Sequence, residues 1–239
     1  MLSIVATPIG NLGDITLRAL EVLKSADIIL CEDTRVTKKL LAHYEITTPT
    51  LSYHQHSDEK KVSEILSLIA DGKHLALVTD AGTPGISDPG NKLIHDVISS
   101  DPERLKGFEG ESRDLDSARN DVAVQPIPGP SAVIAALSIS GLPTDKFIFM
   151  GFPPHKKGRE TFFQEVADAK HTVAFYESNH RIAKAIGQLG KVLESDREVV
   201  ICRELTKKFE TVYRGSIAEV AQMTVVEKGE FVVLVRGRR

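Results

Sequence analysis

The sequence has only two cysteines, Cys31 and Cys202, and each lies inside a short apolar run of strand character. That placement suits small buried side chains, excludes a disulfide framework or a thiolate metal site, and fits a reducing compartment. Long apolar runs are missing too. No window approaches the roughly 18 apolar residues of a membrane span, and no basic segment precedes a long apolar stretch at the start. A soluble, cytoplasmic protein with no membrane partner is the expectation. There is no basic excess either: the formal net charge is -3, so an RNA site has to be a local patch rather than a whole-chain field. Neither G-x-G-x-x-G nor G-x-x-x-x-G-K-[ST] occurs, which argues against dinucleotide and P-loop nucleotide binding. His180 has no second His or Cys at ligand spacing, so no metal is expected.

What is present is a βα rhythm. With 239 residues and 41% hydrophobic content, the chain can build one large core or two smaller ones. Leu2–Ala6 reads as a strand and about Asp14 to Ser25 as a helix, with Asp14 as its cap and Leu17, Leu20 and Leu23 on its apolar face. Asp27–Cys31 follows as a second strand. Val62, Ile65, Leu66 and Ile69 form a helical stripe stopped by Gly72, and Leu75–Thr79 reads as a strand buried on both faces. This alternation predicts a parallel sheet. Residues 101–121 are dominated by charge and read as a polar insertion or solvated loop. A helix is expected from Ser131 to about Ile139. Beyond Pro143, strands at 147–150, 172–176, 199–202, 211–214 and 231–235 predict a mixed sheet. The expected domains are therefore 1–140 and 145–239.

Three loops stand out. Asp80-Ala81-Gly82-Thr83-Pro84-Gly85-Ile86-Ser87-Asp88-Pro89-Gly90 follows a strand, where open α/β sheets place ligands. Glycine admits close approach, proline fixes the path, and carboxylates and hydroxyls serve polar groups of a ligand. A rigid crossover with capping aspartates is the bland alternative. Ala6–Asp14 joins the first strand to the first helix, and Pro128–Ala132 delivers a helix N-terminus with Ser131 in its first turn. Tight packing alone accounts equally well for either. Ionisable clusters also close three strands, at Cys31–Arg35, Phe175–Arg181 and Arg203–Lys208. Each fits a cleft lining or a solvated helix start.

Taken in order, VATPIGNLGDITLRAL, CEDTR, DAGTPGISDPG, PIPGPSA, SGLPTDKF, GFPP, FYESNHR and RELTK resemble the ribosomal RNA small-subunit methyltransferase I group of the tetrapyrrole methylase superfamily. The resemblance runs from residue 1 to about 237. It implies a class III methyltransferase fold, two α/β domains with the donor site in the cleft between them. It further implies S-adenosylmethionine as cofactor, a homodimer, and 2′-O-methylation of a cytidine in the decoding region of 16S rRNA, with that rRNA or the small ribosomal subunit as partner. Carried over by position, the donor contacts are Pro8, Ile9, Gly10, Gly82, Thr83, Ile86, Ser87, Ser131, Ala132 and Tyr176. Superfamily relatives commonly carry Gly-Asp-Pro where this chain has Gly82-Thr83-Pro84, and Asp80 stands ready to replace that carboxylate. Asp33, Asp80, Glu177, His180 and Lys207 are the catalytic candidates for removing the acceptor proton. Phosphate contacts are expected from Arg35, Arg181, Lys207 and Lys208, with Lys156, Lys157 and Arg159 extending the RNA path. A tetrapyrrole or other small acceptor, or a catalytically silent RNA-binding assembly factor, are the competing readings.

Overall fold

The structure is a computed structural model that describes residues 1–54, 57–88, 90–99 and 124–238. The insertion expected at 101–121 lies outside the described residues. The chain divides into two compact units, one of Met1–Pro8 and Leu12–Pro130, the other of Ile9–Asn11 and Ser131–Arg239.

The first unit is a five-stranded, wholly parallel sheet. Its strands are β1 (Leu2–Val5), β2 (Ile28–Cys31), β3 (Thr50–Ser52), β4 (Leu75–Leu77) and β5 (Val124–Ile127), in the order β3-β2-β4-β1-β5. Helices α1 (Leu17–Ser25), α2 (Thr34–His43), α3 (Glu59–Ala70) and α4 (Asn91–Ser99) cover it. Side chains alternate across the strands. Ile29, Cys31, Ala76 and Val78 pack with Ala19 and Leu23 of α1 and Leu41 of α2. Leu30, Leu75 and Leu77 pack on the opposite face with Val62 and Ile65 of α3 and Leu93 and Val97 of α4. Burial on both faces explains why these strands read as continuous apolar runs. Fully buried side chains such as Leu2, Leu23, Ile65 and Leu93 each contribute roughly 1.5–3 kcal/mol.

Helix α1 starts later than its sequence suggests. Thr16, not Asp14, is the cap, its hydroxyl accepting from Ala19 N–H at 3.1 Å, while Asp14 closes a short 3₁₀ turn. The later start turns Leu17 outward, 80% exposed, and leaves Ala19 and Leu23 as the buried positions. Strand β3 and helix α4 have no counterpart in the sequence pattern.

The second unit is a mixed sheet in the order β6-β7-β10-β8-β9, formed by β6 (Phe147–Phe149), β7 (Thr172–Ser178), β8 (Glu198–Arg203), β9 (Thr211–Ser216) and β10 (Glu230–Val235). Only β6 and β7 run parallel; the other pairs are antiparallel. Helices α6 (Arg159–Asp168), α7 (Ile182–Val192) and α8 (Ile217–Val220) share one core with Val173, Phe175, Ile201, Phe231 and Val233. On the other face, α5 (Ala132–Ser140) packs Val133, Ala136 and Leu137 against Ala174, Val200, Cys202, Val232 and Leu234. The expected boundary at 140–145 puts this helix in the first half of the chain. Its apolar side chains seat it on the second sheet instead, where among the described residues no other helix covers that face. Both cysteines are buried free thiols, and burial pushes Cys202 up to about 11.

Candidate active site

In the first unit the chain leaves β1 through α1 toward β2, on one side of the sheet, and leaves β4 through α4 toward β5, on the other. Helices α1 and α4 also lie on opposite faces. Neighbouring strands β1 and β4 therefore flank the topological switch point, the position where parallel α/β sheets hold ligands beyond their carboxyl ends. A two-bond bridge marks this place. Thr7 N–H donates to Gly82 O at 2.8 Å and Gly82 N–H donates back to Thr7 O at 3.0 Å. The Thr7 hydroxyl donates to Thr79 O at 3.2 Å, fixing the same crossing a second time.

Left-handed backbone shapes the loop after β4. Gly82, Gly85 and Gly90 have φ of +85°, +83° and +142°, and Ser87, an ordinary L residue, is held at +64°. At Gly85 a Cβ would stand 2.6 Å from Asn91 Oδ1, and the Asn91 amide donates to Gly85 O at 3.2 Å. Only glycine satisfies both the torsion and the close approach. The Thr83 hydroxyl donates to Pro130 O at 3.0 Å, tying this loop to the one after β5. Thr83 thus serves the scaffold, and beyond Ala81 the exposed side chains among the loop's described residues are Asp80, Ile86 and Ser87.

The strand ends around this loop are acidic. A cavity of about 520 Å³ is bordered by Glu32, Asp33, Arg35, His54 and Asp80. Asp33 caps α2 through Arg35 N–H at 2.8 Å and grips the Arg35 guanidinium at 2.7 Å. Those hydrogen bonds from Arg35 hold the Asp33 carboxyl down at about 2. Asp80 accepts from Asp33 N–H at 3.2 Å. Glu32 is pushed up by burial, reinforced by the charge of Asp80 and opposed by His54. Asp88 is pushed up to about 6, chiefly by burial, with the Thr79 hydroxyl opposing and the charges of Glu32 and Asp80 adding. Sequence reasoning names Asp88 as one of the loop's carboxylates but not as a donor contact. Its position in the loop is visible there, but its burial among like charges is not.

The second unit sorts the remaining candidates. Glu177 is sealed in the interior, its side chain fully buried and paired with Arg159 at 2.7 Å and Arg181 at 3.0 Å. Arg159 is itself 3% exposed and also donates to Gln188 Oε1 at 2.8 Å. These residues form a structural ion network, so the expected roles of Glu177 as a base and Arg159 as an RNA contact do not match their surroundings. Arg181 is half-buried and donates to Ser178 Oγ at 2.9 Å. His180 is exposed at the entry to α7. Lys207 donates to Glu230 at 2.7 Å and Glu204 at 3.1 Å. Burial pulls its pKa down, but the two carboxylates outweigh burial and hold the ammonium above its usual range.

Gly10 comes together with this lysine, and Ile9 packs in one core cluster with Leu205. Gly10 lies so close to Lys207 and Thr206 that a Cβ would collide with both side chains. Asn11 N–H donates to Thr206 Oγ1 at 3.1 Å. Thr206 has φ +65° and Glu204 φ +51°, two left-handed non-glycine residues in one turn. Strain of this kind collects where surrounding structure overrides local preference for the sake of a site. Ser131 caps α5 without a side-chain cap bond, and Ala132 packs beside it on the core of that face. Tyr176 stacks edge-on against Phe149 and Phe152, at 4.9 and 5.4 Å between centroids. Lys156, Lys157 and Lys208 are exposed, Lys208 lying over the Phe209 ring at 5.7 Å. Pro8 is buried beside the Thr7 bridge, and Arg35 is exposed though paired.

Residues 1–103 and 108–221 match the family of Tetrapyrrole (Corrin/Porphyrin) Methylases. The ribosomal RNA small subunit methyltransferase I of Vibrio cholerae is 47% identical over 244 residues, which span 100% of this chain and 78% of that protein. That of Xylella fastidiosa is 44% identical, over 99% of this chain and 81% of that protein. Among solved structures, the methyltransferase CobJ superposes with a TM-score of 0.66 at 18% identity, covering 100% of this chain and 95% of that one. At that identity the likeness is one of fold.

Proposed function

Because the chain belongs to the tetrapyrrole (corrin/porphyrin) methylase family and groups within it with the ribosomal RNA small subunit methyltransferases I, we infer that it transfers a methyl group from S-adenosylmethionine to small-subunit ribosomal RNA. The observation that carries this reading is the glycine loop after β4, bridged to Thr7 at the switch point of the parallel sheet. The finer proposal is that the acceptor is the 2′-hydroxyl of a cytidine in the decoding region of 16S rRNA, and that the enzyme acts as a homodimer in the cytoplasm. It rests on the strings CEDTR and FYESNHR.

The residues of the first unit fit the donor. S-adenosylmethionine carries a sulfonium and an ammonium, and the strand ends offer Glu32, Asp80 and Asp88 without a basic partner for each. Ile86, 40% exposed beside Gly85, gives an apolar surface for a purine. Asp80 is an exposed acceptor for ribose hydroxyls. When bound, the donor supplies an electrophilic methyl group for in-line displacement by an oxygen.

Removing the acceptor proton requires a group that is both reachable and basic. Asp33, held at about 2, is too weak a base. Glu177 is sealed and doubly paired, and Lys207 is held protonated. Of the five candidates Asp80 and His180 are left, both exposed, His180 with no ion pair among the described residues.

The test is incubation with methyl-labelled donor and either small subunits lacking their modifications or a tetrapyrrole mixture. Label in 16S rRNA, recovered in an alkali-resistant dinucleotide, is the expected result. Label on the tetrapyrrole alone overturns the reading, and alkali-labile label in rRNA overturns the ribose assignment.

A further inference from the structure

The second unit carries a lysine-bordered groove that none of the catalytic chemistry uses. On α7, Lys184, Gly187, Gln188 and Lys191 fall at i, i+3, i+4 and i+7 and share one face, while Ile182, Ala185, Ile186 and Leu189 bury the other. Opposite them runs the His155-Lys156-Lys157 turn, which enters α6 through Gly158 at φ +85°. Together they enclose about 710 Å³.

Four observations point to a ligand. Lys156, Lys157, Lys184 and Lys191 are all exposed, and none of them forms a salt bridge with any described residue. Glu160 is the one carboxylate among the lining residues. Buried Arg159 is already committed to Glu177 and Gln188, so its charge stays in the floor and the four lysines remain for something outside.

The fourth observation is Gly187. A Cβ there would meet nothing within 4 Å, so no protein contact requires glycine. Glycine inside a helix nevertheless costs about 1 kcal/mol relative to alanine. Its bare backbone opens onto the groove, where it lets a ligand chain approach the helix closely.

We propose that this groove, bordered by Lys156, Lys157, Lys184 and Lys191 and floored at Gly187, binds the phosphodiester backbone of the RNA substrate. The inference rests on the rRNA reading above and deepens it. Lysine is a point-charge phosphate binder, and the lining residues include no Phe, Tyr or Trp ring for stacking a base. The contacts are therefore sequence-independent and position the substrate.

The test compares the full chain with a Lys156→Gln/Lys184→Gln/Lys191→Gln variant, a Lys-to-Arg counterpart and Gly187→Ala. Affinity for small subunits and for a 16S rRNA fragment is measured against salt, with donor affinity and melting temperature in parallel. The expected triple variant has a shallower salt dependence, by about 0.7–0.9 in log–log slope for each phosphate it no longer neutralises, and binds RNA at least roughly tenfold more weakly. Any loss in kcat/KM lies in KM, and the arginine counterpart restores binding. Gly187→Ala melts higher yet binds RNA more weakly. Unchanged RNA affinity and slope in the triple variant, while the parent protein still labels rRNA, overturns the groove and leaves the function standing. A parent protein that binds donor but neither binds nor labels rRNA overturns the function itself.

Discussion

Substituting Asp88→Asn should stabilise this protein at pH 8 and leave it nearly unchanged near pH 4. The Asp88 carboxyl rises from an ordinary 3.8 to about 6 on folding, chiefly because it is buried, with Glu32 and Asp80 adding repulsion and the Thr79 hydroxyl opposing. A carboxyl whose pKa is raised in the folded state binds its proton more tightly there. Its contribution to stability is fully present below 3.8 and is lost as pH rises through about 6. At 1.36 kcal/mol per pKa unit, the full gap is worth roughly 3 kcal/mol, and partial exposure with solvent screening reduces this to about 1 kcal/mol. Asparagine imitates the neutral acid at every pH, so the variant escapes the penalty only where the parent is ionised. Urea denaturation of both proteins from pH 4 to pH 8 measures the difference, which should open between about pH 4 and 6. A pH-independent difference, or a variant less stable at pH 8, refutes the argument. A carboxylate that weakens the fold at neutral pH is the pattern expected where a ligand needs the charge. The same variant should accordingly bind S-adenosylmethionine several-fold more weakly.

Two further outcomes follow from the geometry. Arg159→Ala leaves the fully buried Glu177 carboxylate with Arg181 alone and should cost roughly 3–5 kcal/mol in chemical denaturation, whereas Arg159→Met combined with Glu177→Gln should recover most of it. Gly85→Ala must place a side chain at φ +83° and 2.6 Å from Asn91 Oδ1, so it should lose about 1–2 kcal/mol and weaken donor binding measured by calorimetry. Gly141→Ala, at φ +76° with nothing within 4 Å, isolates the torsional part and should leave donor binding intact.

Local patterns are legible in the sequence wherever one residue period suffices. Val62, Ile65, Leu66 and Ile69 announce α3, and the run from Leu75 announces β4 because both faces of that strand are buried. Three-residue β3 is too short to show a period, and α4 directly follows a glycine–proline loop that masks its stripe of Leu93 and Val97. The order of the strands is out of reach. Without knowing that β1 and β4 are neighbours, the loops after them are two separate glycine-rich connections, and the Thr7–Gly82 bridge that makes them one site joins residues far apart in the chain.

Charge is where sequence and structure diverge most, for a physical reason. CEDTR and YESNHR look alike as strings, acid and base side by side at a strand end. Their fates are opposite because of what the rest of the fold brings near. Glu177 receives Arg181 from its own string and Arg159 from α6, so its charge is consumed inside the second unit. In the first unit Arg35 pairs with Asp33, while Glu32 and Asp88 are raised by burial and by the negative charges around them. Removing Arg35 should therefore change little at Glu32 and Asp88, whereas a bound cation should lower both. That negative field, created only when β2 and β4 lie side by side, is what we propose a positively charged methyl donor meets.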